Sequence, residues 1–230
     1  MERKGIDMKK NTPKKSKQFD ELEVYRHLRT NIEYSSVDTK VQVVNITSSN
    51  PGEGKTTTSS NLAIVSANQF SKVLLVDCDM RKPQIHKKFN ISNRFGLSNV
   101  LAQEDLNIPD TFFQKFKDKK GEGVLYVLPA GIKVPNPLEL LSSDKFKEFL
   151  AYMRQRFDFI ILDCPPVLSV SDAIPVSCVS DGTIFVVSAQ DTDKKMARTA
   201  LTQIQRNGAH VIGTVLSKAD RTTESYYNYY

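Results

Sequence analysis

VQVVNITSSNPGEGKTTTSSN, residues 41–61, joins an apolar run to a hydrophilic, glycine-punctuated turn, and its reading decides the fold. VQVVNI (41–46) has the β-branched content of a buried strand. Residues 55–69 then read as a helix. Between the two lies PGEGKTT. Gly52 and Gly54 let the backbone curl its N–H groups around a phosphate, and Lys55 brings a point charge to the outer phosphates. The Thr56 hydroxyl can ligate Mg²⁺, and the helix that starts here aims the positive end of its dipole at the same anion. A G-x-G-K-[ST] string arises by accident in about one chain of this size per hundred, and its place between strand and helix makes accident rarer still. Pro51, Gly52, Glu53, Gly54, Lys55, Thr56 and Thr57 are therefore expected to bind a nucleotide. Ser49 stands where the eight-residue form of this loop has its first glycine. No G-x-G-x-x-G follows any strand, which excludes the usual nicotinamide site.

Outward from this loop the chain alternates. FDELEVYRHLRTNIEY sets Leu22, Tyr25, Leu28 and Ile32 at helical spacing. KVLLVD (72–77), VLYVL (124–128), FDFIILD (157–163), TIFVVSA (183–189) and HVIGTVLS (210–217) read as strands. Phe146, Phe149, Leu150, Met153 and Phe157 form a helical apolar stripe, and residues 193–206 a further helix before Gly208. Residues 90–123 read as irregular and polar. Near-continuous Val/Ile/Leu strands separated by helices predict an α/β domain, a mostly parallel sheet flanked by helices on both faces. One domain of residues 19–220 is expected, between a basic arm at 1–18 and a tyrosine-rich tail at 221–230.

Composition narrows the function classes. With 40% apolar and 25% charged residues, this is a globular chain. No apolar stretch approaches the roughly 20 residues that cross a bilayer. The odd number of cysteines fits no zinc spacing. Cys78 and Cys164, at the ends of apolar runs, read as small core residues of a reducing, cytoplasmic compartment. The net charge is +6, but residues 1–18 hold seven basic side chains against two acidic ones. The rest of the chain is nearly neutral, which argues against a nucleic-acid-binding body. The arm reads equally as a solvated lead-in or as a polybasic segment for an anionic membrane surface.

Three carboxylates are expected at one sheet edge. VLLVDCDMRKP places Asp77 and Asp79 on one face at the end of a strand. Such acids can simply cap a turn, but two side by side repel unless a cation sits between them, and Mg²⁺ on a triphosphate is one. IILDCPP ends another strand in Asp163, like the strand that holds the metal from the far side in P-loop enzymes. On the residues alone, Thr56, Asp79 and Asp163 are candidate metal ligands. Arg81 stands just after the acidic pair. At the other end, ESYYNYY crowds Tyr226, Tyr227, Tyr229 and Tyr230 into five residues.

Together these residues resemble the bacterial tyrosine kinases (BY-kinases) of capsule and exopolysaccharide synthesis, P-loop proteins related to the MinD/ParA ATPases. PGEGKT resembles their Walker A motif, VLLVDCDMR the A′ motif peculiar to them, and IILDCPP their Walker B. ELEVYRHLRTNI resembles their E-x-x-R-x-x-R helix, here Glu23, Arg26 and Arg29. IKVPNPLELLSSDKF and the tyrosine-rich end match in place and character. The likeness spans about residues 19–230. Asn50 replaces the signature lysine of MinD/ParA proteins, and Ser217 stands where many relatives have Asn. The resemblance implies a P-loop NTPase fold and a stand-alone cytoplasmic kinase that uses ATP and Mg²⁺. On that footing Lys55, Asp77 and Asp79 are the candidate catalytic set, with Asp77 to orient the acceptor phenol and accept its proton, and Arg81 either at the incoming side or in a surface salt bridge. The resemblance also implies phosphorylation of the tail tyrosines in trans and a ring, of eight copies, joined through Glu23, Arg26 and Arg29. It further implies a transmembrane adaptor of the polysaccharide co-polymerase type, which recruits the kinase to the inner face of the membrane, and a cognate tyrosine phosphatase. The alternatives are a P-loop ATPase switch without kinase activity and an interaction scaffold. The scaffold would not need Lys55, Asp77 and Asp79 intact.

Overall fold

In the computed structural model, which describes residues 21–36, 40–103, 105, 108–117 and 123–219, the first strand starts two residues later than the sequence suggests. The elements are α1 (Glu21–Glu33), β1 (Val43–Ser48), α2 (Lys55–Ser66), β2 (Lys72–Asp77), α3 (Ile85–Lys88), α4 (Leu97–Ala102), β3 (Gln114–Lys117) and β4 (Val124–Leu128). They continue with α5 (Pro137–Ser142), α6 (Asp144–Arg154), β5 (Phe159–Asp163), α7 (Ala173–Val179), β6 (Gly182–Ser188), α8 (Lys194–Arg206) and β7 (Val211–Ser217). The basic arm and the tyrosine tail lie outside the described residues.

The strands form one seven-stranded sheet in the order β3-β4-β2-β5-β1-β6-β7, with every neighbouring pair parallel except β3–β4. β1 and β5 are buried at every position and β2 at all but its first. The twofold alternation of a strand then divides each between two cores. Leu74, Val76, Ile160 and Leu162 face Phe146, Phe149 and Met153 of α6, Val176 of α7 and Ile204 of α8. Val73, Leu75, Ile161, Val44 and Ile46 face Leu62 and Val65 of α2, with Ile32 of α1 beyond. The parallel, doubly covered sheet expected from the sequence is thus observed.

The stretch read as irregular is more structured than its polarity suggested. It holds α4 and the antiparallel edge strand β3, in which Phe116 packs against the α2-side core and Lys115 and Lys117 face solvent. The apolar stripe of α6 also ends sooner than expected, since the helix stops at Arg154 and Phe157 enters the core from the turn that follows.

Register is what positions the chemistry. Asp77 pairs directly with Asp163 across β2 and β5, and Ile46 pairs with Asp163 across β1 and β5. The ends of β1, β2 and β5 therefore coincide at the carboxyl edge, where ligands bind in open α/β sheets.

Candidate active site

The loop between β1 and α2 is held open from behind. Gly52 and Gly54 have φ of 81° and 97°, a left-handed conformation that favours glycine. A Cβ on Gly54 would also stand 3.1 Å from that of Ser217. Ser217 donates its hydroxyl to the Glu53 carbonyl at 2.6 Å, so the end of β7 buttresses the loop. The Glu53 side chain turns inward and is 1% exposed. Its carboxylate accepts from the Asn50 amide at 2.8 Å, the Ser49 hydroxyl at 3.2 Å and the Thr192 hydroxyl at 2.6 Å. Glu53 thus shapes the loop by tying it to itself and to the turn before α8. From the sequence Glu53 stands only among the loop residues expected to bind a nucleotide, and nothing there marks Thr192.

Lys55 opens α2 and is 8% exposed. Burial pushes its pKa down, against the pull of Asp163, Asp79 and Glu53. The Thr56 hydroxyl donates to one oxygen of Asp163 at 2.7 Å and the Ser59 hydroxyl to the other at 2.9 Å. Thr56 and Ser59 are three apart on a helix and share a face, the signal from which Ser59 was legible. Burial outweighs the two hydroxyls and Lys55, which draw the Asp163 carboxyl down, and leaves it raised to about 6.

The two acids of the β2 end part company. Asp79 lines an open cleft of about 590 Å³ together with Gly52, Lys55, Thr56, Arg81, Lys82 and the Pro165–Pro166 turn. Asp77 is fully buried. One of its oxygens accepts from the Asp79 amide at 3.1 Å, and the other from the amides of Gln84 and Ile85 at 3.1 and 3.0 Å. Burial, with Asp163 alongside, pushes its carboxyl well above the usual range. Asp79 also accepts from the Lys82 amide at 2.9 Å, so both acids cap the turn that carries Arg81. Arg81 forms a bidentate pair with Asp172, at 2.6 and 3.0 Å. Asp172 is 1% exposed at the start of α7, and nothing in the sequence marks it as the partner of Arg81.

Pro51, Gly52, Gly54, Lys55, Thr56, Thr57 and Asp79 are therefore gathered around one cleft. Asp163, buried, is tied to this lining through Thr56, and Asp77 is buried beside Asp163 on the neighbouring strand. The oxygen donors fit Mg²⁺, which takes one or two carboxylates and completes its shell with phosphate and water. Glu23 and Arg26, which do not line the cleft, form an ion pair on α1, while Arg29 lies 3.6 Å from Glu33 rather than against Glu23. Cys78 and Cys164 are buried, as expected, and Cys178 is exposed. No helix among the described residues is long and apolar enough to cross a membrane.

A protein-family model described as an AAA domain matches residues 41–213. The chain is similar to the tyrosine-protein kinase YwqD of Bacillus subtilis (strain 168), at 39% identity over 208 residues, covering 90% of this chain and 85% of YwqD. It is similar to the putative tyrosine-protein kinase CapB of Staphylococcus aureus, at 33% identity over 208 residues, covering 90% and 89% of the two chains. The solved kinase domain of the Escherichia coli tyrosine kinase ETK resembles it with a TM-score of 0.76 at 31% identity, covering 86% of this chain and 77% of that one.

Proposed function

This chain belongs to the bacterial tyrosine-protein kinases, and from that premise we propose that it transfers the γ-phosphoryl of ATP to its own C-terminal tyrosines, one copy acting on another. The observation that carries the proposal is the second acidic strand end. β2 brings Asp79 and Arg81 to the cleft that the phosphate loop lines, so the side facing an acceptor hydroxyl is walled by a carboxylate and a guanidinium.

The phenolic oxygen attacks the γ-phosphorus in line, the bond from that phosphorus to the β–γ bridging oxygen breaks, and ADP leaves. Loop N–H groups and Lys55 stabilise the charge on the phosphates. Thr56, Asp163 and Asp79, directly or through water, would hold Mg²⁺, which neutralises charge on the phosphate oxygens when bound. Tyrosine and aspartate differ by about six pKa units, so the phenolic proton moves late, as a loose phosphoryl-transfer transition state allows. Asp77 was the sequence-based candidate to receive it. With both its oxygens engaged by backbone amides, Asp77 suits the task of holding the 79–85 turn, and Asp79 that of meeting the phenol.

Transfer in trans calls for neighbours. A ring joined through Glu23, Arg26 and Arg29, of eight copies, would supply them. A membrane adaptor of the polysaccharide co-polymerase type would bring the kinase to the inner membrane face and activate it for capsule or exopolysaccharide synthesis. A cognate tyrosine phosphatase would reset it. Each phosphotyrosine adds roughly −1.5 to −2 charges, so a modified tail is expelled from a cleft that holds Asp79 above Asp163, and the ring loosens. The test mixes an inactive Lys55→Met chain with an active chain in which Tyr226, Tyr227, Tyr229 and Tyr230 are all Phe. Phosphotyrosine should form on the Lys55→Met chain; its absence there refutes transfer between copies.

A further inference from the structure

We propose that the exposed face of α8 is the docking site for this chain's own C-terminal segment once its tyrosines carry phosphate. The inference rests on the tail phosphorylation proposed above. Of the residues of α8, Lys194, Lys195, Arg198 and Arg206 are basic and none is acidic. All four are exposed, and none has an ion-pair partner among the described residues. Arg154, Arg156 and Lys218, by contrast, are each committed to an aspartate.

Helical spacing gathers the charges. Lys195, Arg198, Thr202 and Arg206 fall on a strip about 100° wide, opposite the buried Ala200 and Ile204. Arg198, Thr202 and Arg206, with Thr199, Gln203 and Asn207 beside them, line a surface depression. Two guanidiniums flanking hydroxyls and amides in a concavity suit phosphate esters, which arginine grips through two parallel hydrogen bonds.

The exit of the chain selects the occupant. Ser217 at the end of β7 pairs with Ser188 at the end of β6, and Lys218 is bound to Asp191 in the turn that leads into α8. The chain leaves the fold beside the first turn of α8. From Lys218 to Tyr226 is a reach of up to ~26 Å, against ~20 Å for the whole helix. Residues 219–230 carry only Asp220, Arg221 and Glu224 as charged side chains. The segment becomes strongly complementary to α8 only when phosphate is added.

The test uses the full chain with its four tail tyrosines changed to Phe, and two synthetic peptides of residues 219–230. One carries phosphate on Tyr226, Tyr227, Tyr229 and Tyr230; the other carries none. By fluorescence anisotropy the phosphopeptide should bind at least about tenfold more tightly, the yield of one charge-assisted hydrogen bond. Arg198→Ala with Arg206→Ala should remove that gain, as should Thr202→Glu. Lys117→Ala with Lys145→Ala, which removes the same charge elsewhere, should preserve it. Equal affinity for the two peptides, or equal losses in both double variants, overturns the proposal. So does capture of phosphatidylserine vesicles through Arg198 and Arg206 without phosphopeptide binding, which would assign the face to a membrane. Because the phosphate is installed by synthesis, a chain that never labels its own tail would still bind the peptide. Failure of the kinase reading is read separately, from phosphotyrosine on the wild-type chain incubated with Mg-ATP.

Discussion

The two aspartates at the end of β2 differ by two positions in sequence and completely in surroundings. Asp79→Asn should cut tyrosine phosphorylation by on the order of 10²- to 10⁴-fold while leaving the amides of Gln84 and Ile85 as protected from hydrogen exchange as before. Asp77→Asn can offer only one acceptor oxygen where the carboxylate uses two. It should lose activity together with protection at Asp79 or at Gln84 and Ile85; protection left intact would contradict its positioning role. Glu53 lends itself to a similar test. Glu53→Ala strips partners from the half-buried Asn50 amide and Thr192 hydroxyl, a loss toward the low end of the roughly 1–3 kcal/mol for unpaired donors. Calorimetry should report weaker ATP binding alongside a lower melting temperature. A variant with unchanged ATP affinity would show that the loop keeps its shape without this carboxylate.

Among the elements, the start of β1 is fastened by Asp181, which precedes β6. Its carboxylate accepts from the amides of Gln42 and Val43 at 2.8 and 2.7 Å and pairs with Arg154 at the end of α6. Burial pushes the Asp181 carboxyl up, but Arg154 and the two amides outweigh it and hold it below the usual range. A depressed pKa contributes stability that is complete above the ordinary carboxylate value and is lost as pH falls through the folded one. Asp181→Asn should therefore destabilise by about 1–2 kcal/mol at pH 7, a figure discounted for solvent screening. That difference should shrink below about pH 4, near the ordinary carboxylate value, when melting is followed against pH. Which elements were legible follows the same physics. β1, β2 and β5 are buried on both faces, so they read as apolar runs. α4, α5 and α7 are too short for a helical period to emerge, and β3 is a polar edge strand. Within the site, Lys55, Thr56 and Asp79 could be taken from a contiguous motif. The inward turn of Glu53, the capture of Asp77 by Gln84 and Ile85, and the grip of Asp172 on Arg81 depend on chain reversals that no local pattern encodes.

At the scale of the whole molecule, the proposed ring rests on α1. The Glu23–Arg26 pair seen within one chain is worth only a few tenths of a kcal/mol on an exposed helix, so losing it alone would cost a monomer little. Arg26→Ala with Arg29→Ala should leave monomers in light scattering and slow labelling between copies; an unchanged oligomer would remove α1 from the interface. The central claim, that the cleft delivers phosphate to tyrosine rather than to water, is tested most directly by mass spectrometry of the chain after incubation with Mg-ATP, with ADP quantified in parallel. The account predicts phosphate on the cluster from Tyr226 to Tyr230, none on a Lys55→Met chain, and about one phosphotyrosine for each ADP in the first turnovers. ADP accumulating over an unmodified tail would contradict it and leave a nucleotide-hydrolysing switch in its place.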